Sequence, residues 1–146
     1  MKLTIVAYGT PAPQGSKSFK GFSKAGRAIM AESSSKVRPW RQDVKHAAIA
    51  ARAGLPPIDA AVRARMVFTM PKPSSAPKTR RTYPQRMPDL SKLIRSTEDA
   101  LTEAGIWKDD ARVVEYDRVA KVYPGEDPEA LDAPGVRIEI MLKEAA

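Results

Sequence analysis

The sequence predicts an α+β domain in which a single mixed sheet of about four strands carries two packed helices. Four segments alternate apolar and polar residues with a period of two, which is typical of half-buried strands, and two segments repeat apolar residues at helical spacing. Their order is strand, helix, strand, long loop, helix, strand, strand, which indicates an α+β architecture. A length of 146 residues predicts one domain, 1–146, that is large enough to bury a core.

The first half of the chain begins with a strand, because Leu3, Ile5 and Ala7 alternate with polar or smaller neighbours. Residues 11–15 form a Pro- and Gly-containing turn, and residues 16–27 are basic, so we interpret them as a loop or loose hairpin facing a ligand. A helix follows residues 33–35, whose serine hydroxyls are candidate N-caps, and Gly54 ends it. Residues 62–70 alternate again and predict the second strand.

Residues 71–88 interrupt this regularity. The segment holds five prolines, five basic residues and no acid, so it can form neither a helix nor a central strand. Long irregular connections in compact domains are usually functional or disordered, and we expect this one to be mobile until it binds a phosphate backbone. A flexible linker with solvating charge is the alternative.

The second half predicts one helix and two strands. An apolar helical face runs from Leu90 to Ala104, and Gly105 ends it. Residues 113–122 predict a strand with one face formed by Val114, Tyr116, Ala120 and Val122. An acidic turn at 123–134 leads to the last alternating strand, 136–142.

The charge is distributed unevenly along the chain. Residues 1–95 hold 19 of the 25 lysines and arginines but four acids, a net +15, whereas the last 51 residues hold six bases and 13 acids, a net −7. A positive field of this strength favours a polyanion such as nucleic acid, although an uneven soluble surface is the alternative. The chain has no cysteine, which suits a reducing cytoplasm. No apolar run approaches the roughly 20 residues of a membrane span.

Carboxylates are the candidate catalytic groups. With no cysteine and one histidine, a zinc site or a Ser-His-Asp triad has too few residues, which leaves acids and a hard divalent cation. Asp89 stands at the start of the second helix, and Asp109 and Asp110 follow its end. If the fold brings them together, they would form an oxygen site for Mg²⁺ or Mn²⁺, with Arg95 beside it to offset charge on a phosphate.

Each of these residues has a structural alternative. Asp89 is also a favourable helix N-cap, and Asp109 and Asp110 are also typical turn residues. Arg95 is placed to pair with Asp99 one turn later. Trp107 is better explained as a core anchor than as a base-stacking group.

The stretch from Pro88 to Val114 resembles the signature of the RusA-type Holliday-junction resolvases. It reads Pro-Asp-Leu-Ser at 88–91, Ala-Leu at 100–101, Gly-Ile-Trp-Lys-Asp-Asp at 105–110 and Val-Val at 113–114. Residues 11–17 and 38–41 resemble members carried by phages and prophages. The resemblance covers most of the chain and is strongest over residues 88–123.

The resemblance implies a homodimer that cuts two opposing strands of a four-way DNA junction with Mg²⁺, leaving a 5′-phosphate and a 3′-hydroxyl. It assigns essential carboxylates to Asp89 and Asp110, with Asp109 as a further candidate ligand, and a basic catalytic role to Arg95. Ser91 departs from the family pattern, which has a second aspartate there. Serine is a weak neutral ligand, so we expect lower metal affinity.

The leading hypothesis is therefore a junction-resolving endonuclease without an organic cofactor. The basic residues expected to hold the DNA backbone are Lys17, Lys20, Arg80, Arg81, Arg86 and Lys92. A non-catalytic junction-binding protein with a decayed metal site is the main alternative, and a nuclease for flaps or single strands is another. Metal-dependent cutting separates the first of these from the hypothesis, and substrate comparison separates the second.

Overall fold

The computed structural model describes residues 1–15, 17–22, 24–26, 28–32 and 35–144, with residues 17–22 and 28–32 described by their backbone alone. Its strands are β1 (Lys2–Tyr8), β2 (Lys17–Phe22), β3 (Ala28–Glu32), β4 (Val62–Thr69), β5 (Val113–Val122) and β6 (Gly135–Leu142). Its helices are α1 (Val37–Arg52) and α2 (Leu90–Glu103), and a short 3₁₀ turn spans Asp110–Arg112. In the part of the chain so described, no helix is long and apolar enough to cross a membrane.

Four strands form a mixed sheet in the order β1-β6-β4-β5, which confirms the predicted α+β class. The β4–β5 pair is parallel, whereas β6 pairs antiparallel with both β1 and β4. The strands β2 and β3 form a separate antiparallel pair, so the basic segment predicted as a loop or loose hairpin is a hairpin. Because β4 and β5 run parallel, a long crossover must join them, and this crossover contains residues 71–88 and α2.

One face of the sheet packs under both helices. Ile5, Ile138 and Met66 lie side by side across β1, β6 and β4, and each is at most 1% exposed. Trp40 of α1 packs against Phe68 with ring centroids 6.5 Å apart. Its indole N–H donates to Thr97 Oγ1 at 3.2 Å, which joins α1 to α2. The helices therefore reach the sheet through a continuous apolar layer.

The helix ends match the predictions in part. Lys36 occupies the N-cap position of α1 without a side-chain hydrogen bond, so the cap residue is Lys36 rather than Ser35, whereas residues 33 and 34 of the expected serine cap lie outside the described residues. Pro39 lies in the first turn, where its missing N–H costs nothing. Gly105 has a φ of 76°, which only glycine adopts without strain, and it follows the end of α2 as predicted.

The predicted common face of β5, formed by Val114, Tyr116, Ala120 and Val122, is wrong. The register with β4 shifts twice, between the partners of Val62 and Arg63 and between those of Ala64 and Arg65. Each shift inserts one extra residue into β5 and reverses the side on which later residues point. Tyr116 consequently pairs with Ala64 on the helix side, whereas Ala120 and Val122 pair with Val67 and Thr69 on the opposite face.

The acidic segment 123–134 folds over the other face of the sheet. Its carboxylates pair with arginines of β4 and β5: Glu129 lies 2.8 Å from Arg65 and 2.7 Å from Arg118, and Asp127 lies 2.8 Å from Arg118. The backbone N–H of Leu131 donates to Thr69 Oγ1 at 2.8 Å. Within the fold, the acidic half of the sequence therefore pairs with basic residues of the first half, as in Arg65 with Glu129 and Arg81 with Asp127.

Candidate functional site

Asp89 lies at the N-cap position of α2, but its side chain does not cap the helix. Its backbone is extended, with φ −67° and ψ 137°, and the carboxylate makes no cap hydrogen bond. The side chain is 54% exposed, and its one described ion pair is a distant contact of 3.8 Å with Lys92. Asp89 therefore occupies the N-cap position without capping α2, and its carboxylate is free to bind a ligand.

Lys121 fixes the segment that delivers Asp89. Its ammonium group, near the carboxyl end of β5, donates to the backbone carbonyls of Arg86 and Pro88, each at 2.9 Å. A lysine bound to two carbonyls ties the loop to the sheet immediately before α2. This role of Lys121 was not predictable from the sequence, because nothing local connects Lys121 with residues more than thirty positions earlier.

Asp109 and Asp110 differ in their surroundings. The Asp109 carboxylate accepts from the backbone N–H of Ala111 at 2.8 Å and lies 3.4 Å from Arg112, so it stabilises the 3₁₀ turn. Asp110 is exposed, and its carboxylate makes no hydrogen bond or ion pair with the other described residues. Of the two, Asp110 has the carboxylate available to a ligand.

A buried acid lies next to Asp110. Glu98 of α2 is 9% exposed and accepts a short hydrogen bond from the phenol of Tyr116 on β5. Burial raises the pKa of Glu98, and the negative charge of Asp110 raises it further, against the opposing effect of the Tyr116 hydrogen bond. Burial and the bond to Glu98 also raise the pKa of Tyr116.

The pair of Glu98 and Tyr116 was not predicted from the sequence. The sequence does contain one signal for Glu98: it follows Ser91 by seven residues, which places it on the same face of α2. The partner could not be found, because the bulges in β5 decide that Tyr116 points toward the helix.

Arg95 lies on α2 between these features. Helical geometry places Ser91, Arg95 and Glu98 within about 60° of one another around the helix. Arg95 is exposed and makes no ion pair with Asp99 or any other described residue. The structural alternative for Arg95 is therefore not realised, and its guanidinium is free to meet a phosphate.

The three predicted carboxylates do not form one cluster. Among the described residues, no group of three or more histidines, aspartates and glutamates could hold a metal ion. Asp89 precedes the first turn of α2, whereas Asp110 lies close enough to Glu98, in the second half of the helix, for its charge to raise the pKa of Glu98. The assignment of these residues as metal ligands stays a prediction.

The predicted DNA-binding residues fall into three groups. Lys17 and Lys20 lie on β2, where their side chains are outside the described part of the structure. Arg81 is held by Asp127 at 2.8 Å and by the Tyr83 ring at 4.9 Å, so its first role is structural. Arg80, Arg86 and Lys92 are exposed, and the last two line a cleft.

That cleft has a volume of about 780 Å³ and lies beside Asp89. One wall is the loop after β1, from Thr10 to Gly15, and the other is the proline-rich segment 71–88. Prolines, Met70 and Tyr123 give it a largely apolar lining, and Arg86 and Lys92 add positive charge. The cleft brings together an apolar surface, the free Asp89 carboxylate and three cations, since Lys36 also lines it.

These features agree with comparison to known families. Residues 9–141 match the family described as Endodeoxyribonuclease RusA, and the chain belongs to that family. The protein is thus an endodeoxyribonuclease of the Holliday-junction resolvase class, with branched DNA as its substrate. No curated protein matches the chain in a sequence search.

The residues present fit a divalent cation that is held by two carboxylates and completed by water and substrate phosphates. Mg²⁺ in enzymes that act on phosphates is usually held by one or two carboxylates, with water and substrate phosphates as the remaining ligands. Asp89 and Asp110 are the two predicted ligands whose carboxylates are free among the described residues, whereas Asp109 is engaged in its turn. A protein-only cage of three carboxylates does not fit the described residues.

Proposed function

We propose that the protein resolves four-way DNA junctions by Mg²⁺-dependent hydrolysis of two opposing strands, with Mn²⁺ as a possible substitute. The observation that carries the proposal is the match to a junction-resolving nuclease family over residues 9–141, which spans every proposed site residue. The free carboxylates of Asp89 and Asp110 support the metal requirement. Cytoplasmic DNA is the expected setting.

Asp89 and Asp110 are the proposed ligands. When bound, Mg²⁺ would polarise the phosphate and promote ionisation of a water molecule. The water oxygen forms a bond to phosphorus as the bond between phosphorus and the 3′-oxygen breaks, and the 3′-oxygen takes up a proton, which leaves a 5′-phosphate and a 3′-hydroxyl. To act as a third ligand, the Asp109 carboxylate would have to give up its hydrogen bond from Ala111 and its ion pair with Arg112. We therefore assign to Asp109 the role of stabilising the 3₁₀ turn.

Arg95 is the proposed stabiliser of charge on the phosphate. Its free guanidinium lies on the same face of α2 as Ser91, where a second carboxylate is absent. Because Ser91 replaces an aspartate of the family pattern, this face of α2 carries one fewer negative charge. Less of the positive charge of Arg95 is therefore offset by neighbouring side chains. We therefore expect lower metal affinity, together with strong attraction of the phosphate.

Two opposing cuts require two active sites, and a homodimer supplies them by symmetry. We expect a dimer in sedimentation at micromolar concentration, and a monomer there would contradict paired cutting by one assembly. The alternative is a non-catalytic junction-binding protein. It is motivated by Ser91, which stands where the family pattern has a carboxylate. That alternative predicts junction binding without cutting.

A nicking assay tests the proposal. Labelled four-way junction and matched linear duplex are incubated at low salt with Mg²⁺, Mn²⁺ or EDTA, using the wild type, Asp110→Asn and the control Asp132→Asn. Paired cuts in the junction should depend on metal, vanish in Asp110→Asn and persist in the control. Binding without cutting under both metals would favour the non-catalytic protein, and preferred cutting of flaps or single strands would favour the other nuclease class.

A further inference from the structure

We propose that the cleft beside Asp89 binds one unpaired nucleotide from the branch point of the DNA. This inference rests on the proposed function and deepens it, because it assigns a subsite that recognises branching. The cleft is separate from the pair formed by Glu98 and Tyr116 and lies at the opposite end of α2.

The walls of the cleft are held in place by hydrogen bonds. On one side, the loop after β1 is bound to α2: the backbone N–H of Gln14 donates to the carbonyl of Lys92 at 3.0 Å, and Ser96 Oγ donates to the carbonyl of Ala12 at 2.7 Å. On the other side, the Met70 N–H donates to the Val122 carbonyl at 2.8 Å. Lys121 holds the far end of that wall by the carbonyls of Arg86 and Pro88.

The lining suits the flat face of a base. The apolar residues that line it include Pro11, Pro71, Pro84, Met70 and Tyr123. Such surfaces accept any base by stacking, since every base has a π-face. The volume of about 780 Å³ lies within the roughly 300–1,000 Å³ of pockets for small ligands, which admits a nucleotide and excludes a duplex.

The rim suits the phosphates on either side of that base. Lys36, Arg86 and Lys92 line the cleft, and neither Lys36 nor Arg86 forms an ion pair with another described residue. Asp89 is the single acid in the lining. A nucleotide with its base inside the cleft would therefore have its phosphates among three cations and beside the proposed metal ligand.

This arrangement favours branched over linear DNA for an energetic reason. Removing a base from an intact stack costs a few kcal/mol, and the cost is least where the base is already unpaired or poorly stacked. Continuous stacking is interrupted at a branch point, so a base there is easier to extrude than a base within a linear duplex. The cleft would thus raise the affinity for branched DNA over linear DNA, and it would do so next to the bond to be cut.

The test is a binding cycle between the base and the cleft. Anisotropy measures the Kd of four-way junctions in EDTA, with each branch-point nucleotide replaced in turn by an abasic site. The variants are Thr10→Trp, which narrows the cleft from an exposed lining position, and the control Thr4→Trp, an exposed threonine of β1 outside the cleft. Urea unfolding checks that both variants are folded.

For the wild type and Thr4→Trp, removing the base at one position should weaken binding roughly tenfold. Thr10→Trp should bind the intact junction as weakly as the wild type binds the abasic one, with no further loss on base removal. Equal sensitivity of wild type and Thr10→Trp to base removal would overturn the proposal.

The wild-type series alone also decides the question. If no abasic position changes its affinity although it prefers the junction to a linear duplex, the cleft proposal fails and the proposed function stands. If the wild type does not prefer the junction at all, the proposed function fails and the cleft proposal falls with it.

Discussion

Replacing Asp127 by asparagine should destabilise the protein more than its place in a surface loop suggests. The Asp127 side chain is 3% exposed, lies 2.8 Å from both Arg81 and Arg118, and accepts from the Glu129 backbone N–H at 2.9 Å. It therefore joins the proline-rich segment, β5 and its own loop at one point. Asparagine keeps the shape and one acceptor oxygen but removes the charge.

The expected loss follows from these contacts. Hydrogen bonds to charged groups contribute about 1.5–3 kcal/mol each, and breaking a fully buried ion pair costs about 3–5 kcal/mol. Arg118 and Arg81 are 30% and 41% exposed, so both regain water, and Arg118 keeps Glu129 at 2.7 Å. We therefore expect a loss of about 2 kcal/mol in the free energy of unfolding at pH 7.

The loss should also depend on pH. The hydrogen bonds from Arg118 hold the pKa of Asp127 well below its ordinary value of 3.8. A carboxyl whose pKa is lower in the folded state stabilises the protein above the unfolded pKa, and this contribution disappears as the pH falls toward the folded value. The difference between wild type and variant should be constant from pH 7 to 5 and shrink below about pH 3.8.

Urea unfolding at pH 7, 5, 4 and 3 measures both effects, with Asp132→Asn as the matched control. Asp132 is exposed and accepts one hydrogen bond, from the Tyr8 hydroxyl at 3.1 Å, so its replacement should cost less than about 1 kcal/mol. If both variants lose the same stability, or if the Asp127→Asn deficit is as large at pH 3 as at pH 7, the reasoning about this contact is wrong.

Three further changes have defined outcomes. Ser91→Asp should lower the Mg²⁺ concentration that gives half-maximal junction cutting, because it adds a carboxylate to the face of α2 that carries Arg95; an unchanged metal titration would contradict this. Arg95→Leu should reduce the cutting rate roughly 10²-fold while Arg95→Lys keeps most of it, as single-turnover kinetics would measure. Trp107→Ala should cost about 3–5 kcal/mol in urea unfolding, since Trp107 is 1% exposed and donates to Thr102 Oγ1 at 2.8 Å; a loss below 1 kcal/mol would contradict its role in the core.

The sequence by itself determined the four strands of the main sheet, the two helices and the family. Strands and helices were predictable because burial of one face imposes a period of two or 3.6, and the bounds of β5 matched the prediction. Trp107 was predicted as a core residue and is one. The motif around Asp89 and Asp110 was readable because it is continuous in the chain.

The tertiary structure decided which of these residues are free to act. Asp89 lies at the N-cap position of α2, but its carboxylate makes no cap hydrogen bond. Asp109, and not Asp110, accepts the hydrogen bond that stabilises the 3₁₀ turn. No local sequence pattern distinguishes the two aspartates. Two bulges in β5 bring Tyr116 to Glu98, and Lys121 holds a loop distant in sequence. These facts depend on strand register and on contacts between remote segments, which packing of the whole chain fixes and local periodicity does not.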